Sequence, residues 1–185
     1  MKTNIELPNA ECILFTDIIT DTEYFFQQLK EQIEWEHKPI KIMGKEILQP
    51  RLTAWYGEKQ YNYSGTENLP KPFIKPLLEL KEIVEATINK KYNACLLNYY
   101  RSGNDSIGWH SDLESQLHES IASVSLGVTR EFQFKSKETN AITKLFLHDG
   151  SILEMGKNVQ KLYKHQVPKR KLDGGRINVT FRQVK

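Results

Sequence analysis

The sequence predicts an α+β protein with an antiparallel β-sandwich or jelly-roll core. Three observations lead there. Two helical hydrophobic patterns fall before residue 92. After Asn93 the pattern changes to a run of short segments with period two. An Asp149-Gly150 pair, a hairpin-turn signal, punctuates the longest of them. Helices followed by successive short strands indicate segregated α and β layers rather than alternating βαβ units.

Each element has its own signature. TDTEYFFQQLKEQIEW (20–35) opens with Thr20 three residues before Glu23, the spacing of a capping box. Phe25, Phe26, Leu29 and Ile33 then share one helical face. Pro76 suits the first turn of a second helix, whose apolar stripe is Leu77, Leu80, Val84 and Ile88. Both helices read as packing elements. Between them, residues 40–65 are aromatic, short-stranded and broken by glycine. Downstream, residues 94–101, 121–128, 130–136, 143–155 and 176–184 read as strands.

A chain of 185 residues is one domain, or one with an extension, and can bury a core without disulfides. Cys12 and Cys95 lie far apart and form no CxxC pair, which suits a reducing compartment. The N-terminus lacks the apolar region of a signal peptide, and no apolar run reaches membrane-spanning length. A soluble monomer in the cytoplasm, or the nucleus if eukaryotic, is the expectation. Charge is unevenly placed. Residues 1–36 hold two lysines against eight acids, and residues 157–185 hold nine Lys/Arg against one acid. A basic end suits a polyanionic partner; solvated surface lysines give the same composition.

Chemistry concentrates in DSIGWHSDLES (105–115). On a strand, His110 and Asp112 would point to one side and could share a metal. Two polar residues on a loop would look the same, so a third ligand is needed. Of the remaining histidines (His37, His118, His148, His165), His165 is the best placed, between predicted strands and just upstream of GGRINVTFR. Two histidines and a carboxylate with open positions form the facial triad of non-haem iron(II) oxygenases. In RINVTFR, Ile177, Val179 and Phe181 form one face and Arg176, Asn178, Thr180 and Arg182 the other. The polar face suits either an ordinary surface strand or a dicarboxylate, which guanidinium binds in bidentate fashion. Asn98 and Tyr100 add an amide and a phenol on another strand.

PRLTAWYG, YNYSG, NYYRSGNDSIGWHSDLE, IASVSLGVTREFQF, HDGSILEM, HQVP and RINVTFR together resemble the AlkB family of nucleic-acid dealkylases. The resemblance runs in order from about residue 40 to the C-terminus and is loose over residues 1–39. It implies iron(II) held by His110, Asp112 and His165, with 2-oxoglutarate and O₂ as co-substrates. Arg176 and Arg182 would bind the 2-oxoglutarate carboxylates, helped by Asn98, Tyr100 and Asn178. The core would be a double-stranded β-helix (93–185), with residues 1–92 forming N-terminal helices and a nucleotide-recognition lid in one compact unit. Trp55, Tyr61 and Tyr63 look like base-stacking and phosphate-contacting aromatics; packing of a small core explains them as well. Ile42-Met43-Gly44 falls where duplex-acting relatives carry a wedge, or is a plain turn. The residue after the metal-binding aspartate, acidic in several relatives, is Leu113 here, and Glu114 is the nearest carboxylate for a cationic base. Lys161, Lys164, Lys169, Arg170 and Lys171 could track phosphates.

The implied activity is oxidative dealkylation of bases such as 1-methyladenine and 3-methylcytosine in DNA, releasing formaldehyde, succinate and CO₂. Its rivals are an RNA or protein demethylase, a nucleic-acid-binding module without turnover, and a zinc hydrolase, for which no HExxH segment is present.

Overall fold

The computed structural model describes every residue except 43–44, 59–60, 64–65, 69–70 and 113–119; for 40–42, 45, 61–63 and 66–68 only the backbone is described. In chain order the elements are β1 (Lys2–Asn4), β2 (Cys12–Phe15), α1 (Thr22–Gln32), β3 (Pro39–Ile42), β4 (Lys45–Leu48), β5 (Leu52–Gly57), β6 (Tyr61–Tyr63) and β7 (Thr66–Asn68). They continue with α2 (Lys75–Ile88), β8 (Ala94–Tyr100), β9 (Ile107–His110), β10 (Ile121–Gly127), β11 (Arg130–Ser136), β12 (Ile142–Leu147), β13 (Ile152–Met155), α3 (Val159–Leu162), β14 (Tyr163–Val167) and β15 (Arg176–Arg182). A seven-stranded sheet has the order β1-β2-β13-β10-β15-β8-β5, and a four-stranded sheet the order β12-β11-β14-β9. The pairings are antiparallel throughout both. β3–β4 and β6–β7 are separate two-stranded ribbons. The chain is thus mostly β with few helices, as the strand-rich second half predicts. Residues 1–92 supply β1, β2 and β5 to the large sheet, so that sheet is built from both halves of the chain.

The central strands of the large sheet divide their side chains between its two faces. Cys95 and Leu97 of β8, Ala122, Val124 and Leu126 of β10, and Ile177, Val179 and Phe181 of β15 pack with Phe25, Leu29, Leu77, Leu80 and Val84 of the helices. The alternate residues point the other way. Tyr100, Ile121, Leu153 and Met155 join Phe132, Phe134, Leu145, Leu147 and Val167 of the small sheet in a second core. At roughly 1.5–3 kcal/mol for each fully buried aliphatic side chain, these two layers dominate the favourable side of folding.

Both helices form on the expected faces. α1 buries Phe25 and Leu29, but its N-cap is Asp21, which makes no side-chain cap bond. The predicted Thr20–Glu23 capping box is therefore not formed; Glu23 instead accepts a bond from Gln27. α2 has Pro76 in its first turn and closes on Asn89 in the left-handed conformation, φ 59°.

The segment 143–155 is not a hairpin. β12 pairs with β11 in the small sheet, whereas β13 pairs with β10 and β2 in the large one. The Asp149-Gly150 turn carries the chain from one sheet to the other. Gly150 has φ +72°, and a Cβ there would meet the Ile19 carbonyl oxygen at 2.6 Å. Asp149 accepts a bond from the Gly127 amide at 2.8 Å, fixing the crossover.

Candidate active site

The two sheets face each other across a narrow cleft. Its polar lining comes from both. The large sheet contributes Asn98, Tyr100, Ser123, Arg176, Asn178, Thr180 and Arg182; the small sheet and the segment after β9 contribute His110, His165 and Asp112. Arg176, Asn178, Thr180 and Arg182 are thus the inward side of β15, all at or below 7% exposure. The alternative of a basic outer surface does not hold.

His110 and His165 sit directly opposite each other on β9 and β14, with ring centroids 4.2 Å apart. Val167 pairs with Ile107, so two residues of β9, Gly108 and Trp109, stand against one of β14, Gln166. This bulge turns Ile107 and His110 both into the cleft and leaves Trp109 outside. Bulges re-aim side chains in this way beside active sites. Asp112 lies beyond the end of β9, so it does not reach the site by strand alternation. Gln160 of α3 holds it by accepting the Asp112 amide at 2.9 Å, while the Ser111 hydroxyl bonds the Tyr163 carbonyl at 2.8 Å. His165 likewise lies within a strand, β14, rather than between strands.

One donor atom from each of His110, Asp112 and His165 lies within 4.8 Å of the others. Asp112 Oδ2 is 3.8 Å from His165 Nε2 and 3.2 Å from Arg182 Nη2. Burial works against the Asp112 charge, but Arg182, His110 and His165 outweigh it and hold the carboxyl below its ordinary value. Burial, with His110 adding to it, pushes the His165 imidazole down to about 3, so it is neutral and able to ligate. Phe132 stacks on that ring at 5.4 Å. His110 Nδ1 is 2.8 Å from the Gly108 carbonyl, which fixes the ring and leaves Nε2 for the cluster. Asp112 Oδ1 and His165 Nδ1 are buried without a hydrogen-bond partner among the described residues. Orphaned polar atoms beside a two-His, one-carboxylate set fit a divalent metal with open positions.

The neighbouring groups fit an anion. Arg176 donates from Nη2 to Ser125 Oγ at 2.8 Å, while its Nε and Nη1 are buried with no hydrogen-bond partner among the described residues. Burial, which outweighs the opposing pull of Tyr100, lowers its pKa to about 10, still charged at neutral pH. The Tyr100 ring has Arg176 on it at 5.4 Å and Arg130 also at 5.4 Å. Asn178 gives its amide hydrogens to Ser123 Oγ (2.7 Å) and the Val124 carbonyl (2.9 Å) and accepts from Thr180. Asn98 accepts from Arg51 Nε at 2.7 Å.

Several supporting residues were not expected from the sequence. Arg51, immediately before β5, is 4% exposed and donates to Asn98 of β8. Arg130 is 1% exposed and donates to the carbonyls of Ser102, Asp105 and Pro168, joining the loop before β9 to the end of β14. Ser123 and Ser125 could have been found, since they alternate with Ala122, Val124 and Leu126 on β10. Trp55 is 2% exposed and packs with Ala94, Leu96 and Val184; Leu96 also lines the cleft. Tyr61 and Tyr63 lie on β6, whose backbone alone is described. Leu113, Glu114, His118 and the Met43-Gly44 tip of the supposed wedge lie outside the described residues.

Residues 12–182 match the family described as the 2OG-Fe(II) oxygenase superfamily. The Homo sapiens protein named DNA oxidative demethylase ALKBH2 is 32% identical over 180 residues, covering 89% of this chain and 69% of that one. The chain belongs to the AlkB family. The superfamily match reaches back to Cys12, well before the residue 40 at which the sequence motifs begin. A Bos taurus AlkB relative, alpha-ketoglutarate-dependent dioxygenase alkB homolog 3, is 37% identical over 186 residues, and its Homo sapiens counterpart 36% over 183. These alignments cover 94% and 92% of this chain but only 65% and 64% of those relatives, so the chain spans just under two thirds of their length. A solved AlkB structure, that of OsALKBH1, superposes with a TM-score of 0.68 at 19% identity, covering 96% of this chain and 99% of that one, a likeness of fold. Among the described residues, no helix is long and apolar enough to cross a membrane.

Proposed function

We propose that this chain is an iron(II)- and 2-oxoglutarate-dependent dioxygenase that removes alkyl groups from the nitrogens of nucleic-acid bases. Methyl groups on 1-methyladenine and 3-methylcytosine in DNA are the substrates it fits, with formaldehyde, succinate and CO₂ released. The observation that carries this reading is the His110–Asp112–His165 cluster sharing one cleft with a buried Arg176 that has donors to spare. A zinc hydrolase would have no use for that arginine. DNA is favoured over RNA or peptide because a relative at 32% identity is itself named a DNA oxidative demethylase.

Iron with 2-oxoglutarate and O₂ supplies the oxidation, one oxygen atom ending in succinate and the other on the alkyl carbon. The chain's own groups do the positioning. His110, Asp112 and His165 would hold the metal; Arg182 keeps Asp112 ionised and Gln160 fixes its backbone. Arg176 and Arg182 would receive the carboxylates of 2-oxoglutarate, helped by Tyr100 and by Asn98 and Asn178, which Arg51 and Ser123 lock in place. Leu96, Ile107, Phe132, Met155 and Val167 wall the cleft with apolar surface that excludes water. Tyr61, Tyr63 and Glu114 are the proposed base contacts; Trp55, buried against Ala94, Leu96 and Val184, would act through Leu96, which lines the cleft. The two facing sheets would form a double-stranded β-helix, with residues 1–92 as the recognition part and 93–185 as the catalytic part. The protein acts as a monomer in this proposal.

The test is formaldehyde release from 1-methyladenine and 3-methylcytosine in single-stranded DNA, duplex DNA and RNA, and from a methylated peptide, with and without 2-oxoglutarate. Release from DNA that requires 2-oxoglutarate and vanishes in His110→Ala and Asp112→Ala is expected. Full turnover by either variant would sink the assignment, and release from peptide alone would move it to another substrate class.

A further inference from the structure

The outward face of the small sheet has a composition that its role as a wall of the cleft does not require. Strand alternation puts Glu131, Gln133 and Lys135 of β11, Lys164 and Gln166 of β14, and Ile142, Lys144 and Phe146 of β12 on that side. Lys135 stands directly opposite Lys164, and Lys144 opposite Gln133. Like charges opposed across a pair of strands destabilise it. Lys135, Lys144 and Lys164 form no ion pair among the described residues, whereas Glu131 is already neutralised by Arg170. Gln166 donates to Gln133 at 2.7 Å, making a flat amide link between the lysines. Two aromatics complete the face. Phe146 is 57% exposed, and Trp109, turned outward by the bulge in β9, has Lys135 over its ring at 6.0 Å.

We infer that this face is a second nucleic-acid contact surface, which takes the single-stranded segment flanking the target base. The inference rests on the proposed nucleic-acid substrate. Unpaired lysines match phosphates in charge, and exposed rings on a strand platform offer stacking to any base without reading its sequence. The path is short. β9 is the edge of the small sheet, with His110 on its cleft side and Trp109 on its outer side. A strand leaving the cleft past His110 has only to round this edge to reach Trp109, Lys135 and Lys164.

The experiment compares the full chain with its Lys135→Gln/Lys164→Gln variant, using fluorescence anisotropy with single-stranded DNA of about 5 and about 20 nucleotides at several salt concentrations. The variant should bind the long oligonucleotide about tenfold more weakly, with a salt slope smaller by about 1.4, as expected for two lost phosphate contacts on a single strand. Its affinity for the short oligonucleotide should change less than twofold. An unchanged affinity and slope for the long oligonucleotide, with wild-type binding intact, would overturn this surface while leaving the proposed function standing. Equal weakening for both lengths would also overturn it, by placing the lysines at the cleft. Loss of polyglutamate binding with unchanged DNA binding would assign the face to an acidic protein and overturn it too. A wild-type chain that binds no nucleic acid at any length would defeat the substrate reading itself. Matching Tm values for the two proteins exclude unfolding as the cause.

Discussion

The two sheets treat their two faces in opposite ways. The centre of the large sheet is covered on both sides. Helices pack on one face, and the other, lined with Asn98, Tyr100, Arg176 and Asn178, is sealed against the small sheet. The small sheet buries only its cleft side, where His110 and His165 lie, and turns lysines outward. Groups that would grip an anion therefore sit on the more closely packed wall, and two of the three candidate metal ligands on the more open one. Precise placement of several polar groups calls for packing on both faces; a metal can organise its own ligands.

Core truncations should show the largest effects and separate the walls. Phe134→Ala should cost about 3–5 kcal/mol, because Phe134 is fully buried and touches Phe132, Tyr163 and His165. It should also weaken Mn(II) binding, read by electron paramagnetic resonance. Leu97→Ala, fully buried under the helices, should cost about 2–5 kcal/mol with little change in Mn(II) affinity. Equal losses of metal affinity in both would erase the distinction. Next, Arg176→Met should weaken 2-oxoglutarate binding by about 2–4 kcal/mol in calorimetry while leaving Mn(II) affinity nearly intact. An unchanged 2-oxoglutarate affinity would show the anion site to be elsewhere.

A smaller effect concerns the helical cover. Burial raises the Glu85 carboxyl, but bonds from Lys91, Lys81 and the Tyr92 amide outweigh it, and its pKa is lowered overall. A group lowered in the folded state stabilises above the ordinary carboxylate pKa and loses that contribution as pH falls through the folded value. Glu85→Gln should therefore cost about 1–3 kcal/mol at pH 7, with the Tm difference from wild type shrinking towards pH 3. A constant difference across that range would remove the ionic explanation. Smallest of all, Phe146→Ser on the open face should change stability by no more than about 0.5 kcal/mol, read from the urea midpoint.

Much of the site was legible because its chemistry depends on residue type. His110, Asp112 and His165 are scarce ligands, and the alternation in RINVTFR divided β15 into the faces the structure shows. The direction of those faces was not legible. A strand with two arginines on one side looks like a surface strand until the second sheet is known to cover it. The Asp149-Gly150 turn has hairpin chemistry, yet local sequence does not say which sheet each flanking strand joins. Arg51 and Arg130 carried no signal in the sequence, because their amide and carbonyl partners lie 25 to 47 residues away. The capping box failed for a milder reason, since the helix starts two residues later than Thr20.

The bulge in β9 also fixes the register of an edge strand. An edge strand can slide along its neighbour, and a shift of one residue would exchange its inside and outside. Here the extra residue means that only one alignment brings the His110 imidazole beside His165; the adjacent alignment would push the indole of Trp109 against Phe132. A cation held between the two rings would select the correct alignment by mass action, adding RT ln(1 + [M]/Kd) to its stability. Amide hydrogen exchange in residues 107–110 should therefore slow on adding Mn(II), more than in β15, which is already hydrogen-bonded on both edges.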